Sequence, residues 1–351
     1  MKKYNIFRNI ALGALVVSSL SSCEDYLSLS NPNKTTVETF WTDLKDTKSG
    51  LYATYAALRN DYVLNIREEA WRSDLCWPGY GRPQPQNNAE GWNWYCQNYT
   101  NSTVAISSKW DALYISIWRA NQVIEALERI KDTVSGDEIE TWNIQMGHAR
   151  FIRGLMYFYL HSSFNNGSVV LRTSTAQSFN LPLSPAEDVL KFFREDLEVA
   201  YDLLPVPQDV TSDYEGLATK GTAATIQGIS YLYEKEYSEA EMKFKDVIDN
   251  YGYELEQDWT KMFTNAGEFN SESILEISYS LDYRQDITTW DMNCMYNRLA
   301  TLSTSLGGFL PAAWLVNEFL NDKPDNKDSR NTGRQVSLRA SAMVCLLYTS
   351  P

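Results

Sequence analysis

Apolar residues recur every three or four positions over most of this chain, the spacing of helices that bury one face. Leu44, Leu51, Tyr55 and Leu58 continue such a face in a helix read from near Thr36-Val37-Glu38-Thr39. Trp110, Leu113, Ile117 and Asn121 mark the next one. A stronger helix runs from about Thr141 to His161. Its apolar residues Phe151, Ile152, Leu155, Met156, Phe158 and Tyr159 fill more than one face, which predicts burial on several sides. Arg150, Arg153, Tyr157 and His161 form a separate polar stripe along it. The two arginines are read as structural partners of acidic helix faces, not as ligand groups. Ser184-Pro185-Ala186-Glu187 has the form of a capping box with proline at the first helical position. The helix it opens carries Val189, Phe193, Leu197 and Leu204 and stops at Pro205.

The helix pair that follows has a repeat register. Gly228, Tyr231, Tyr237, Ala240, Phe244 and Val247 stand where a tetratricopeptide repeat wants small residues and aromatics. Small residues let the helices approach, and aromatics fill the groove between them. Gly154 and Tyr157 repeat the first half of this pattern, with residues 187–204 as the partner helix. Further on, residues 273–279 read as a short strand, 280–310 as irregular, and Pro311 to Leu320 as helical. The predicted fold class is mainly α: tetratricopeptide-like helix pairs with long aromatic loops and little strand.

The stretch 71–103 differs in kind. Trp71, Trp77, Tyr80, Trp92, Trp94, Tyr95 and Tyr99 lie among prolines, glycines and asparagines, which reads as a long aromatic loop. Long loops in compact domains are usually functional. Sugar rings carry apolar C–H faces that lie flat on Trp or Tyr, while Asn and Gln bond the hydroxyls. The loop supplies both kinds: Trp77, Tyr80, Trp92 and Trp94, with Asn93 and other amides. For any single Trp, a pin holding the loop to the core is the stronger reading. For the set, at least one ring against ligand is expected. Tyr283, Trp290 and Tyr296 form a second, weaker candidate set.

Composition narrows the classes. The chain has 351 residues and a formal net charge of −14, with 11 Trp and 22 Tyr. Acidic balance argues against nucleic acid and polyanionic ligands, which need basic patches. Acidic residues fall mostly at helix-surface spacing, where a solvated face accounts for them. A glycoside hydrolase needs two carboxylates across a cleft, and no Gly-x-Ser-x-Gly, His-Glu-x-x-His or Walker motif appears. The expectation is that the protein is not an enzyme. Cys76, Cys96, Cys294 and Cys345 lack metal-ligand spacing, and His148 and His161 lack a third ligand on their helix. No metal and no cofactor are expected. Cys76 and Cys96 flank one segment and are left either as a disulfide or as two free thiols.

The first residues carry an address. Lys2, Lys3 and Arg8 precede a mostly apolar stretch from Ile10 to Leu20, too short to span a bilayer. Leu20-Ser21-Ser22-Cys23 resembles the lipobox of bacterial lipoproteins. That implies a signal peptide over 1–22 and diacylglycerol with acyl chains such as palmitate on Cys23. Glu24 and Asp25 resemble a surface-export signal of Bacteroidetes. At the other end, residues 337–351 look like a translated adapter or a frame break, and the natural chain is expected to continue.

Several motifs in order resemble the SusD/RagB family of Bacteroidetes outer-membrane lipoproteins. They are Cys23-Glu24-Asp25-Tyr26-Leu27, Thr39-Phe40-Trp41 with Gly50-Leu51-Tyr52, Trp110 through Asn121, and Ala149-Arg150-Phe151-Ile152-Arg153-Gly154 with Tyr157-Phe158. Glu195-Asp196-Leu197-Glu198, Leu203-Leu204-Pro205, the repeat and Asp328-x-Arg330 follow. Asn165-Asn166-Gly167 departs from the family's usual Phe-Gly-Asp-like turn, and the family's C-terminal helices are missing. The resemblance covers roughly residues 20–330, which places one SusD-like domain over 23–336. It implies a lipid-anchored protein on the outer membrane, facing the exterior. Such a protein binds glycan and passes it to a SusC-like TonB-dependent transporter, with its repeat helices toward the transporter and its aromatic loops toward the ligand. A peptide-binding or scaffold lipoprotein is the alternative, and a glycoside hydrolase a more remote one.

Overall fold

The computed structural model describes residues 40–79, 89–178, 180–258, 261–262, 264–277 and 310–343. Two compact units are present, Met1–Thr42 and Asp43–Pro351. Of the first, Phe40–Thr42 are described, with the Phe40 and Trp41 rings edge to face at 4.9 Å. Cys23 and the 1–22 leader lie outside the described residues, as do Thr36–Thr39, where the first helix is read to begin. All that follows concerns the second unit.

Eleven described helices make up nearly all of its regular structure. They are α1 Leu44–Ala56, α2 Asp61–Leu64, α3 Ile66–Arg72, α4 Ala89–Tyr95, α5 Val104–Ile130, α6 Glu138–Ser163 and α7 Ala186–Leu203, then α8 Lys220–Tyr233, α9 Tyr237–Asn250, α10 Ala313–Asn321 and α11 Leu338–Met343. Two short strands, β1 Cys76–Trp77 and β2 Leu310–Pro311, pair antiparallel, with Cys76 opposite Pro311 and Trp77 opposite Leu310. Among the described residues no helix is long and apolar enough to cross a membrane.

Helix starts follow capping chemistry. Asp43 accepts from the Lys45 and Asp46 amides at 2.9 Å each and so opens α1. Thr219 and Thr222 cap each other at the start of α8. The box predicted at Ser184 does not form. Pro185 itself stands at the N-cap, and the Ser184 amide donates to Val169 O at 2.8 Å, tying the entry to α7 to the segment after α6. A tertiary pairing has displaced a local one. The break after α6 is made by Asn165 and Asn166, both left-handed with φ of 46° and 51°. Asparagine tolerates that region better than most residues.

Consecutive helices pack in pairs: α5 on α6, α6 on α7, α7 on α8 and α8 on α9, with α1 laid across α5 and α6. The α7 stripe Val189, Phe193, Leu197 and Ala200 is fully buried. It meets Phe151, Ile152, Leu155 and Phe158 of α6, which the sequence placed on more than one face. Each of these side chains larger than alanine stabilises by roughly 1.5–3 kcal/mol on full burial.

Both repeat half-matches correspond to helix pairs. A Cβ on Gly154 would sit 3.1 Å from Leu197 Cγ and 3.2 Å from Asp196 Cβ. One on Gly228 would meet Phe244 Cε1 at 2.6 Å. Gly154→Val is therefore expected to lose about 1–3 kcal/mol by overpacking the α6–α7 seam. Urea unfolding followed by circular dichroism measures this, and an unchanged midpoint would contradict the close approach.

The strand predicted at 273–279 is not formed over its described part, residues 273–277. Ile274, Leu275 and Ile277 instead pack on the helical core, and Ile274 O accepts from the Thr222 hydroxyl at 2.8 Å. The long loop reading also needs correction. Residues 89–95 are helical, so Trp92 and Trp94 stand on α4 rather than on irregular chain. Ser337 and Arg339, in the tail that looked foreign, bond Asp322 just past the end of α10 at 2.7 and 2.9 Å. Residues 344–351 lie outside the described residues.

Candidate functional site

The helix α4 has two faces. Gly91 and Trp94 point inward, and Trp94 is 4% exposed. It packs with Trp71, Cys76 and Ala105 and stacks on Tyr99 at 4.3 Å. Trp92 and Tyr95, three residues apart, occupy another face, half-buried. Their rings stack at 5.7 Å with planes 16° apart. Trp77, on β1, stands edge-on to both, at 5.7 Å from Trp92 and 5.1 Å from Tyr95. The result is a partly open aromatic pair braced from behind by a buried indole. Asn93, between Trp92 and Tyr95 in sequence, is exposed.

The β1–β2 ladder joins this cluster to the later part of the chain. Ala312 N donates to Leu75 O at 2.9 Å, and Trp314 Nε1 donates to Asp74 O at 3.1 Å. Trp314 and Leu75 are each 47% exposed. Tyr80, Tyr283, Trp290 and Tyr296, the other predicted aromatics, lie outside the described residues.

Of the predicted glycan residues, Trp77 and Trp92 come together, while Asn93 is exposed on a different face of α4. Trp94 does not join them. It serves as the pin that holds α4 to the core. Tyr95 and Trp314 were not among the predicted site residues. The i, i+3 spacing of Trp92 and Tyr95 carried the signal for Tyr95, but only once the segment is helical. No comparable sequence signal marked Trp314.

Beneath the aromatics lies a layer of charge. The Arg67 guanidinium sits 5.3 Å over the Trp71 ring and bonds Glu68 through Nε at 2.9 Å. Burial pushes the Glu68 carboxyl above its usual range, against the opposing pull of Arg67. Burial also lowers the Lys109 pKa and raises the Cys76 thiol to about 11. Cys76 and Cys96 are both free thiols. Asp61 and Glu68 are each 0% exposed.

The polar stripe of α6 is structural. Arg153 gives Asp196 two bonds, Nε to Oδ2 at 2.7 Å and Nη2 to Oδ1 at 2.8 Å, and Arg150 adds a third at 2.9 Å. Burial disfavours the Arg153 charge, but the Asp196 carboxylate outweighs it and holds the pKa above its ordinary value. His148 is buried, bonded to Tyr55 Oη at 2.8 Å, and held neutral, with burial lowering its pKa to about 3. Among the described residues no group of three His, Cys, Asp or Glu side chains could hold a metal ion.

Comparison with known proteins places this geometry. Residues 25–228 match a SusD-like family model described as starch-binding and associating with the outer membrane. The chain belongs to the SusD-like family. It is 28% identical over 309 residues to the SusD-like protein P38 of Formosa agariphila, covering 82% of this chain and 56% of that protein. A second SusD-like protein of the same organism, P25, is 21% identical, with 92% of this chain and 61% of that one covered. The chain thus spans little more than half the length of these relatives. Among solved structures, a SusD superfamily protein of Bacteroides vulgatus superposes with a TM-score of 0.59 at 26% identity, over 68% of this chain and 50% of that one. A laminarin-binding SusD-like protein superposes with a TM-score of 0.58 at 25% identity, over 67% and 51%.

Proposed function

We propose that this protein captures neutral glycan at the outer face of the outer membrane, without chemistry, and delivers it to a SusC-like TonB-dependent transporter. The observation that carries the reading is the half-buried Trp92–Tyr95 stack braced by Trp77. Such a pair offers flat apolar area to sugar C–H faces. Lipid on Cys23 anchors the protein, and tethering raises the local concentration of ligand near the transporter. The exposed apolar residues Tyr233, Tyr237, Met242 and Ile248 on the α8–α9 pair support a protein partner on the repeat side.

Affinity gel electrophoresis of the full chain in gels cast with laminarin, soluble starch or xylan tests the reading. Retardation on at least one polymer, without release of reducing sugar, is expected. Sugar release would make the protein an enzyme. Unretarded migration in every gel would overturn glycan capture in favour of a peptide ligand or a scaffold role.

A further inference from the structure

A second aromatic groove lies on α5 and shares no lining residue with the Trp77–Trp92–Tyr95 cluster. Trp110, Tyr114 and Trp118 recur every fourth residue and line a cavity of about 770 Å³ together with Arg172, Thr175 and Gln177. That volume falls within the range of small-molecule sites. Residues four apart share a helix face and advance about 6 Å along the axis, so the three rings span about 12 Å. That is long enough for more than one sugar ring. Trp110 and Tyr114 are half-buried and fixed, Trp110 lying 4.8 Å from Tyr114 and 5.2 Å from Phe164. Trp118 is 50% exposed. A large aromatic left in water is the informative exception to burial.

The opposite wall is built rather than incidental. Tyr114 Oη donates to Val170 O at 2.8 Å, and Asn121 Nδ2 donates to Arg172 O at 3.0 Å. Asn121 is 1% exposed and is itself held by Arg153 Nη1 at 2.8 Å. The Arg172 amide donates to Tyr157 Oη at 2.6 Å. Glu125, from α5, accepts from the Thr175 amide at 2.7 Å and from its hydroxyl at 2.5 Å. Gln177 Oε1 accepts from the Thr173 amide at 2.8 Å. The groove is therefore shaped before any ligand arrives, which spares a ligand the cost of ordering it.

Its chemistry selects a ligand class. Apolar rings form the floor, and hydroxyl, amide and guanidinium groups form the rim. Asp111 and Arg172 balance in charge, so the groove lacks the cationic cluster that a phosphate or sulfate would need. We infer that this groove is a second saccharide-binding site, with Trp118 as its stacking platform, that takes a further stretch of the same neutral polymer. The inference rests on the glycan reading above. Two sites on one polymer raise avidity without strengthening either contact.

Isothermal titration with hexasaccharides of laminarin and starch, alongside polymer-gel retardation, tests it on the full chain. Trp118→Ala, Trp118→Phe and Trp92→Ala are compared with the parent. The parent is expected to take two hexasaccharides per chain. Trp118→Ala takes one, with retardation on polymer weakened about tenfold, and Trp118→Phe restores much of it. Because Trp118 is half exposed, its loss should leave the unfolding midpoint near the parent's. Unchanged stoichiometry in Trp118→Ala, with binding lost in Trp92→Ala, overturns the groove and leaves the first site standing. Loss of all binding in Trp118→Ala, with none in Trp92→Ala, keeps the groove and overturns the first site. No binding by the parent overturns both.

Discussion

Asp196→Ala is expected to cost about 3–5 kcal/mol of stability, the range for breaking a buried ion pair from one side. Asp196 is 1% exposed and accepts three bonds from two guanidiniums, and Arg153 is 3% exposed. Removing the carboxylate leaves the Arg153 charge in a place where water cannot reach it. The effect should travel. Arg153 also holds Asn121, and Asn121 holds Arg172 O, so hydrogen exchange at Leu171–Thr173 should quicken. Arg153→Met combined with Asp196→Leu should cost less than Asp196→Ala, because no charge is left unpaired. Urea unfolding of the three proteins measures this. A loss of under about 0.5 kcal/mol for Asp196→Ala, the size of an ordinary surface change, would show that the network contributes little to holding α6 on α7.

That network was partly legible. Arg150 and Arg153 lie on one stripe of a helix whose other faces are apolar, so an acidic partner on a neighbouring helix was expected. Gly154 and Gly228 were legible for a steric reason. A small residue three positions before an aromatic, on a helix followed by another helix, leaves few alternatives to close packing. Residues 184–187 misled because a capping motif is a local statement, and Val169 O competed successfully for the Ser184 amide. Residues 275–279 alternate apolar and polar like a strand, yet the Ile274 carbonyl just before them is taken by a threonine side chain on α8. The segment 89–95 was hidden by its length. Seven residues are too few to establish a helical period, and the prolines, glycines and asparagines before it set a loop expectation. Trp118 could not be read as exposed at all, because it shares a helix face with Trp110 and Tyr114, which the core half covers.

The helical state of 89–95 gives Trp92 and Trp94 opposite fates. Read as loop, the two indoles are equivalent. Two residues apart on a helix, they are rotated by about 200°. Trp94→Ala should therefore cost about 3–5 kcal/mol, as buried Trp truncations do, and loosen the packing of α4 on Trp71. Trp94 Nε1 finds no acceptor among the described residues, so packing rather than a hydrogen bond is what the side chain supplies. Trp94→Phe should accordingly keep most of the stability. Trp92→Ala should cost about 1.5 kcal/mol or less, the scale of its exchange with Tyr95 and Trp77. Its effect should fall on ligand. Weakening of polysaccharide retardation by about tenfold or more is expected, corresponding to roughly 1.4 kcal/mol of binding. Thermal unfolding and affinity electrophoresis on the same three variants separate the two roles. If Trp94→Ala unfolds at the parent's temperature while losing retardation, and Trp92→Ala retains it, the inner and outer faces of α4 are assigned the wrong way round.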